Sequence, residues 1–297
     1  MTRPPVLAID IGGTKILSAL VDGRQVLDRR RIETERGAGP QAWLDAIAAT
    51  IADWRGRFNA AGVAVTGRIA DGCWSALNPT ILPVPDRFPL IQSLSSRLGV
   101  PVTAVNDAQA AAWGEYCFGA GRGTDMIFMT VSTGIGGAIV SSGRLLIGRS
   151  GLAGHVGQVL TGSHDGEERL EDVTSGSALS RLAAESGQTM DPPALFAAAR
   201  AGDAPASTLI NRVAIPLARA ARSLQLLVDP DCFVIGGGIG LADGFIDRLN
   251  RQVAHLPRDY RPEFRAAALG IEAGLVGVAD LVKTKSESAS EVNPCTP

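Results

Sequence analysis

The chain contains 297 residues, of which 45% are hydrophobic and 20% charged, and its formal net charge is -2. This composition is typical of a globular enzyme whose core is large enough for two lobes. The near-neutral charge and the lack of a long basic run argue against nucleic-acid binding. A glycine turn comes early and no apolar stretch reaches about 18 residues, so we expect no signal peptide, no membrane span and a cytoplasmic location.

An internal repeat organises the chain. An apolar strand, a Gly/Thr turn and a second apolar strand begin at Val6 and again at Ile127. The turns that close the two copies, at Gly23 and Gly143, lie 120 positions apart, and at this offset Asp10 falls opposite Thr130. Such a period predicts the duplication of one lobe.

The two Gly/Thr turns have two possible functions. Glycine lacks the Cβ that would keep a ligand away, so a run of backbone N–H groups could approach an anion, and two such turns could hold a polyphosphate. Alternatively, both are plain hairpins in which turn geometry alone demands glycine. The occurrence of two turns in register favours phosphate binding.

A third glycine cluster, Gly236–Gly240, follows an apolar strand and precedes a helical pattern. A dinucleotide-binding fingerprint would need an acidic residue about 20 positions on, at the end of a second strand. Asp247 lies instead inside the helical pattern, and the segment after it, AHLPRDYRPEF, does not read as a strand. Hydride transfer is therefore the weaker alternative.

Between the repeats, a β-branched run from Val100 to Val105 leads into Asn106, Asp107 and an alanine-rich helix. Either polar residue can cap the helix by accepting a free backbone N–H. A carboxylate at this strand end also faces the crevice where α/β sheets bind ligands. In phosphoryl transfer, Asp107 could accept the proton of an attacking hydroxyl.

Five motifs in this order, AIDIGGTK, AVNDAQAAAWGE, TVSTGIGGAIV, GLAGH and VIGGGIG, resemble the ROK family of sugar kinases over about residues 6–282. The resemblance implies an α/β protein with a duplicated actin-like, or ribonuclease-H-like, ATPase fold and two lobes around a central cleft. It also implies ATP-dependent phosphorylation of a sugar with Mg²⁺, and a homodimer. We expect an N-terminal lobe over 1–107, completed by a helix near 273–284, a C-terminal lobe over 108–272 and a disordered polar tail over 285–297.

The resemblance also implies roles for individual residues. The general base is Asp107, and Asp10 is the carboxylate on the Mg²⁺ side, in indirect contact. The nucleotide phosphates and their surroundings involve Asp10, Gly12, Gly13, Thr14, Lys15, Thr133, Gly134, Gly136, Gly137, Gly236, Gly237, Gly238 and Gly240. The sugar contacts are Gly67, Asn78, Asn106, Asp107, His155 and Glu171.

The family commonly carries a zinc site in the loop between its two sugar contacts. Here Gln158 stands at the position of the metal-binding histidine and Arg169 at that of the last cysteine, and the intervening segment is shortened. His164 and its acidic neighbours are poor substitutes for thiolates and imidazoles. No CxxC pair occurs among Cys73, Cys117, Cys232 and Cys295. We therefore expect no structural zinc and a solvated tip at His164.

The choice of sugar rests on His155. At this position the glucokinases of the family have glutamate, whereas LAGHVGQ resembles the pattern of the N-acetylmannosamine kinases, which implies phosphorylation of N-acetylmannosamine at the 6-hydroxyl. A glucokinase or another hexose kinase is the alternative. A sugar-responsive sensor is a third possibility, although Asp10 leaves no room for a preceding DNA-binding helix-turn-helix, and Asp107 is retained.

Overall fold

The computed structural model describes residues 4–79, 82–162 and 168–291, with side chains as far as residue 284. The chain divides into two compact units. Unit 1 comprises Met1–Gly114, Ile147–Leu152 and Ile271–Pro297, and unit 2 comprises Glu115–Leu146 and Ala153–Gly270. The chain thus first enters unit 2 after Gly114, somewhat beyond the boundary expected at Asp107.

Unit 1 is built from strands β1 (Val6–Ile11), β2 (Lys15–Asp22), β3 (Gln25–Glu33), β4 (Ala61–Val65), β5 (Arg68–Ala70), β6 (Cys73–Ser75) and β7 (Val102–Asn106). Five of them form a sheet in the order β3-β2-β1-β4-β7, and β5 pairs with β6 separately. The apolar strands β1 and β4 are parallel neighbours in the buried centre of the sheet. The alternating polar strand β3 lies at its edge, as expected for a strand with one solvated face.

Three helices alternate with these strands along the chain: α1 (Gly39–Thr50), α2 (Leu90–Leu98) and α3 (Asp107–Phe118). The first two pack their leucines into the core of unit 1, together with Trp43, Trp54 and Trp74. Helix α3 starts in unit 1 and ends in unit 2.

Unit 2 repeats the strand arrangement with β8 (Met126–Val131), β9 (Ile135–Ser141), β10 (Arg144–Leu146), β11 (Cys232–Gly236) and β12 (Phe264–Ala266). Their order, β10-β9-β8-β11-β12, matches that of the first sheet. Strands β1 and β8 begin and end 120 positions apart, so the predicted duplication is confirmed. The expectation that AHLPRDYRPEF contains no strand is wrong at its last residue, Phe264. Strand β12 has only three residues, too few for an alternating pattern to show.

Five helices cover this sheet: α4 (Leu170–Thr174), α5 (Gly176–Glu185), α6 (Pro192–Arg200), α7 (Ala204–Val228) and α8 (Phe245–Val253). Three begin at a capping side chain that accepts a backbone N–H, namely Ser175, Asp191 and Asp203. Their apolar faces form one core with β8, β9 and β11. Of the described helices, none combines the length and apolarity needed to cross a bilayer.

The last helix, α9 (Ala273–Glu291), belongs to unit 1. It packs closely on α3 because glycines occupy the contact: a Cβ at Gly277 would overlap the carbonyl oxygen of Ala110. The helix continues to Glu291 and so takes in the first part of the segment expected to be disordered. No glycine or proline interrupts that part, and residues 292–297 lie outside the described chain.

Glu115, the first residue of unit 2, is fully buried. Its carboxyl oxygens accept hydrogen bonds from the backbone N–H groups of Ala120 (2.8 Å), Ala268 (2.9 Å) and Leu269 (2.8 Å). One side chain therefore joins the segment that enters unit 2 to the segment that leaves it.

Candidate active site

The residues predicted to form the site are divided between the two units. Unit 1 contains Asp10, the turn Gly12–Lys15, Gly67, Asn78, Asn106 and Asp107. Unit 2 contains the turn Thr133–Gly137, His155, Glu171 and the cluster Gly236–Gly240.

Asn106, the last residue of β7, is the cap of α3. Its Oδ1 accepts the backbone N–H groups of Ala108 (2.9 Å) and Gln109 (3.2 Å), and its Nδ2 donates to the carbonyl of Gly67 (2.8 Å). The side chain is nearly fully buried. Asn106 thus anchors the helix start that carries Asp107, and its predicted contact with a sugar stays a prediction.

Asp107 is held by a neighbour that the sequence did not point out. The hydroxyl of Thr66 donates to Asp107 Oδ2 at 2.9 Å, and Ala108 N–H donates to Oδ1 at 2.8 Å. Val65 pairs with Asn106 in the parallel ladder, so the residues that follow them, Thr66 and Asp107, leave the sheet side by side. A hydrogen-bonded carboxylate in a fixed orientation can serve as a general base.

Gly67 is required by the backbone. Its φ is +118°, and a Cβ there would lie 2.6 Å from the carbonyl oxygen of Ser75. Its neighbour Thr66 is fixed through the carbonyl, which accepts the indole N–H of Trp74 at 2.9 Å. The backbone therefore requires glycine at position 67 whether or not a sugar is bound.

The other predicted sugar contact of this unit, Asn78, is half-buried.

Asp10 lies near the end of β1. The pKa of its carboxyl group is raised to about 7, mainly by burial and also by the charge of Asp107, while Lys15 opposes the shift. Unit 1 thus contains a carboxylate whose negative charge is poorly compensated by the protein. An oxygen donor of this kind suits Mg²⁺, which binds through one or two carboxylates and keeps several waters.

Asp10→Asn is expected to stabilise the ligand-free, Mg²⁺-free protein. The folded pKa of about 7 exceeds the value of 3.8 for an unperturbed group, so ionisation of Asp10 opposes folding increasingly as the pH rises between these values. The asparagine variant should therefore gain a few degrees in Tm near pH 8 and less near pH 5. Differential scanning calorimetry at both pH values checks this. An equal change at the two pH values would contradict it.

The first Gly/Thr turn joins β1 to β2 as a hairpin. Gly12 N–H donates to the carbonyl of Lys15 at 3.1 Å. The carbonyls of Gly12 and Gly13 accept the Thr34 hydroxyl (2.8 Å) and the Arg36 Nε–H (2.9 Å). These contacts engage the carbonyl groups of the turn and the N–H of Gly12. Anion binding by the other N–H groups of the turn stays a prediction.

The second turn joins β8 to β9 and is also a hairpin, with Ser132 N–H donating to Gly134 O at 2.9 Å. The first residues of α5 support it: Gly176 N–H donates to Ser132 O (2.7 Å) and Ser177 N–H to Thr133 O (3.2 Å). Gly137 has a packing role, because a Cβ there would overlap the side chain of Val156.

A cavity of about 640 Å³ in unit 2 begins at this second turn. The cluster after β11 borders it through Gly238, whose Cβ side is open, whereas Gly237 (φ +84°) packs against the backbone of Val131. Sequence reasoning missed most of its wall, which includes Ser177, Ser180, Pro192, Pro193, Phe196 and Arg200. Because the turn and the glycine cluster share one partly apolar cavity of this size, it suits a nucleoside with its phosphates toward the turn.

The predicted sugar contacts of unit 2 lie beside the same turn. Glu171 is in the first turn of α4, and its Oε1 accepts from Gln158 Nε2 at 2.8 Å. Its Oε2 would lie 3.4 Å from a Cβ placed on Gly134. His155, in the loop that packs on β9, is half-buried, and its Nε2 is buried. His164 lies outside the described residues.

Zinc does not fit the residues found at its expected position. Gln158 and Arg169 face each other there, with Arg169 Nη1 donating to Gln158 Oε1 at 3.2 Å. A guanidinium group stays protonated and offers no lone pair to a metal. Within the described ranges, no group of three His, Cys, Asp or Glu side chains is placed to hold a metal ion.

The two sheets have the same strand order, and in each the first two strands along the chain form a hairpin with a glycine turn. This arrangement is the duplicated actin-like ATPase fold. The chain belongs to the ROK family, which matches residues 6–285.

Relatives of the chain include sugar kinases. It is 50% identical over 280 residues to the bifunctional enzyme NanE/NanK of Brucella melitensis biotype 1, covering 94% of this chain and 54% of that protein. It thus spans about half the length of this relative. It is 42% identical over 287 residues to the N-acetylmannosamine kinase of Shigella boydii serotype 18, covering 93% and 98% of the two chains. The ROK family glucokinase of Streptomyces griseus, solved with glucose and AMPPNP, gives a TM-score of 0.80 at 31% identity, covering 94% and 99%.

Proposed function

We propose that this chain is an ATP-dependent kinase that phosphorylates N-acetylmannosamine at its 6-hydroxyl. The observation that carries the proposal is the position of Glu171 Oε2, which lies on the open side of Gly134, 3.4 Å from where a Cβ would stand, and so places a predicted sugar contact beside a predicted phosphate turn. Relatives named N-acetylmannosamine kinase support the choice of sugar.

In this proposal, Asp107 removes the proton of the sugar 6-hydroxyl. The sugar oxygen forms a bond to the γ-phosphorus of ATP while the bond from that phosphorus to ADP breaks. Thr66 and Asn106 keep the carboxylate of Asp107 in place. Asp10 would hold Mg²⁺ through indirect contact, and the ion would supply positive charge that neutralises the phosphates.

The nucleotide occupies the cavity of unit 2. The backbone N–H groups around Thr133 and Gly134 receive the phosphates, and Gly238 allows close approach of the nucleotide because its Cβ side is open. The wall formed by Phe196 and Pro193 contacts the nucleoside.

The chain works as a homodimer in the cytoplasm, where ATP is supplied. Light scattering would test the dimer.

A panel of sugars tests the proposal. ADP release would be followed with N-acetylmannosamine, N-acetylglucosamine, glucose, mannose and fructose. N-acetylmannosamine should give the highest kcat/KM. A preference for glucose would favour the glucokinase alternative, and ATP binding without turnover on any sugar would favour a sensor.

His155→Glu is expected to shift the preference from N-acetylmannosamine towards glucose. A carboxylate only accepts hydrogen bonds, so it favours sugar hydroxyls and loses the imidazole N–H. An unpaired buried polar group costs roughly 1–3 kcal/mol, which changes the ratio of the two kcat/KM values about 5-fold to 150-fold. Glu171→Gln is the control, since it should weaken all sugars in the same order. Equal losses for every sugar in His155→Glu would mean that His155 only shapes the loop.

A further inference from the structure

Arg169, at the start of α4, makes polar contacts on two sides. Its Nε and Nη2 donate to the two carboxylate oxygens of Asp172, each at 3.0 Å. Its Nη1 donates to Gln158 Oε1 at 3.2 Å and forms an ion pair with Glu171 Oε1, also at 3.2 Å. The paired fork on Asp172 therefore fixes the direction in which the third nitrogen points.

Gln158 completes a closed set of contacts. Its amide oxygen accepts from Arg169, and its amide nitrogen donates to Glu171 Oε1 at 2.8 Å. The opposite orientation of the amide would place an NH₂ group against the guanidinium, so the two contacts determine it together. Oε1 of Glu171 therefore accepts a hydrogen bond from Gln158 and forms an ion pair with Arg169.

The other oxygen of Glu171 is differently placed. No described residue donates a hydrogen bond to Oε2, which lies beside Gly134. The side chain of Glu171 is only 13% exposed, so Oε2 is held in a confined position at the phosphate turn. Such an oxygen can accept a ligand hydroxyl without first giving up a protein partner.

The loop that carries these residues also closes through its backbone. Leu160 bridges to Arg169, Leu170 N–H donates to Val159 O at 2.8 Å, and Thr161 N–H donates to Glu168 O at 2.9 Å. The two limbs of the loop thus meet at Gln158 and Arg169, the positions where zinc ligands would stand. The hydrogen bonds between Arg169 and Asp172 raise the pKa of Arg169 and lower that of Asp172, so both side chains stay charged at neutral pH.

We propose that Gln158 and Arg169 form a metal-free clamp that anchors Glu171 Oε1 and presents Oε2 to a sugar hydroxyl. This inference rests on the proposed function, in which Glu171 contacts the sugar. Both clamp residues are positioning residues. An anchored carboxylate has little rotamer freedom left to lose when the sugar binds, so the clamp lowers the KM for the sugar.

Gln158→Leu and Arg169→Met test the clamp by steady-state kinetics. Gln158→Leu removes the hydrogen bond to Oε1, and Arg169→Met removes the ion pair with Oε1 and the donor that orients Gln158. Hydrogen bonds to charged groups correspond to about a 10-fold to 100-fold change in affinity. The KM for the sugar should rise by at least about tenfold, whereas kcat and the KM for ATP stay within about twofold of wild type. Thr161→Val is the matched control: it removes the hydroxyl contacts to Glu168 in the same loop, and the sugar KM should not change.

A double-mutant cycle separates positioning from loop stability. Adding Gln158→Leu to Glu171→Gln should raise the sugar KM by less than about twofold, because the group that the clamp holds has changed. A full additional rise, or variants that lower Tm and leave the sugar KM unchanged, would overturn the clamp.

Crystal structures of wild type and Arg169→Met give a readout that does not need turnover. The Glu171 carboxylate should leave its wild-type position, and an unmoved carboxylate would overturn the inference. A wild-type protein that phosphorylates no sugar would overturn the proposed function instead, and these structures would still decide on the clamp.

Discussion

Asp107→Asn should lower kcat at least about 100-fold while the protein stays folded. The amide cannot accept the proton of the sugar hydroxyl, yet its oxygen can still accept the Thr66 hydroxyl, now 2.9 Å from Asp107 Oδ2. The cap of α3 should survive because Asn106 accepts the N–H groups of both Ala108 and Gln109, whereas Asp107 shares only that of Ala108. Steady-state kinetics and Tm measured on the same preparation check both parts.

Thr66→Val is the matched comparison for this variant. It removes the donor to Asp107 and leaves the base, so we expect a loss of about tenfold or less in kcat. An Asp107→Asn variant with wild-type kcat would rule out Asp107 as the base. A large fall in Tm would instead assign the residue a structural role.

Glu115→Ala is expected to cost roughly 3–5 kcal/mol of folding free energy. The side chain of Glu115 is fully buried, and the substitution leaves the partly buried N–H groups of Ala120, Ala268 and Leu269 without their acceptor. Glu115→Gln should cost less, because one oxygen remains to accept. Urea denaturation, with the midpoint and the slope both fitted, measures the difference.

Glu185→Ala provides the control for this prediction. Glu185 ends α5, its side chain is 54% exposed, and it pairs with Arg181, a surface contact that contributes little. Its removal should change stability by no more than about 0.5 kcal/mol. A Glu115→Ala variant as stable as Glu185→Ala would show that water readily replaces the lost acceptor.

The duplicated fold could be predicted because its signal is local and repeated. Each copy shows an apolar strand, a glycine turn and a second strand, and the period of 120 positions matches the starts of β1 and β8. No such pattern in the sequence indicated that Ile147–Leu152 belongs to unit 1. A short segment without periodicity can pack with either unit, and long-range contacts decide which.

The candidate site was predictable only in part. Asn106 and Asp107 stand at a strand-to-helix junction that the sequence shows directly. The bond from Thr66 to Asp107 depends on the register of β4 and β7, which a single sequence does not reveal. The sequence also could not show which glycines serve packing and which leave room for a ligand, because this depends on tertiary contacts. A Cβ at Gly137 would overlap Val156, whereas Gly238 faces open space.

The residues at the expected zinc position show a similar limit. Gln158 and Arg169 could be read from the sequence as lost ligands, but not as partners of each other and of Glu171. Eleven positions separate the first two residues, and only the closure of the loop through Leu160 and Arg169 brings them together.

Phosphorus NMR of one reaction tests the central claim most directly. The purified chain would be incubated with ATP, Mg²⁺ and N-acetylmannosamine, and the products followed by coupled phosphorus and proton spectra. We expect one phosphomonoester whose phosphorus couples to the two protons on C6 of the sugar, formed in step with ADP. Inorganic phosphate as the only new signal, or unchanged ATP under conditions where glucose is phosphorylated, would contradict the assignment of this chain as an N-acetylmannosamine kinase.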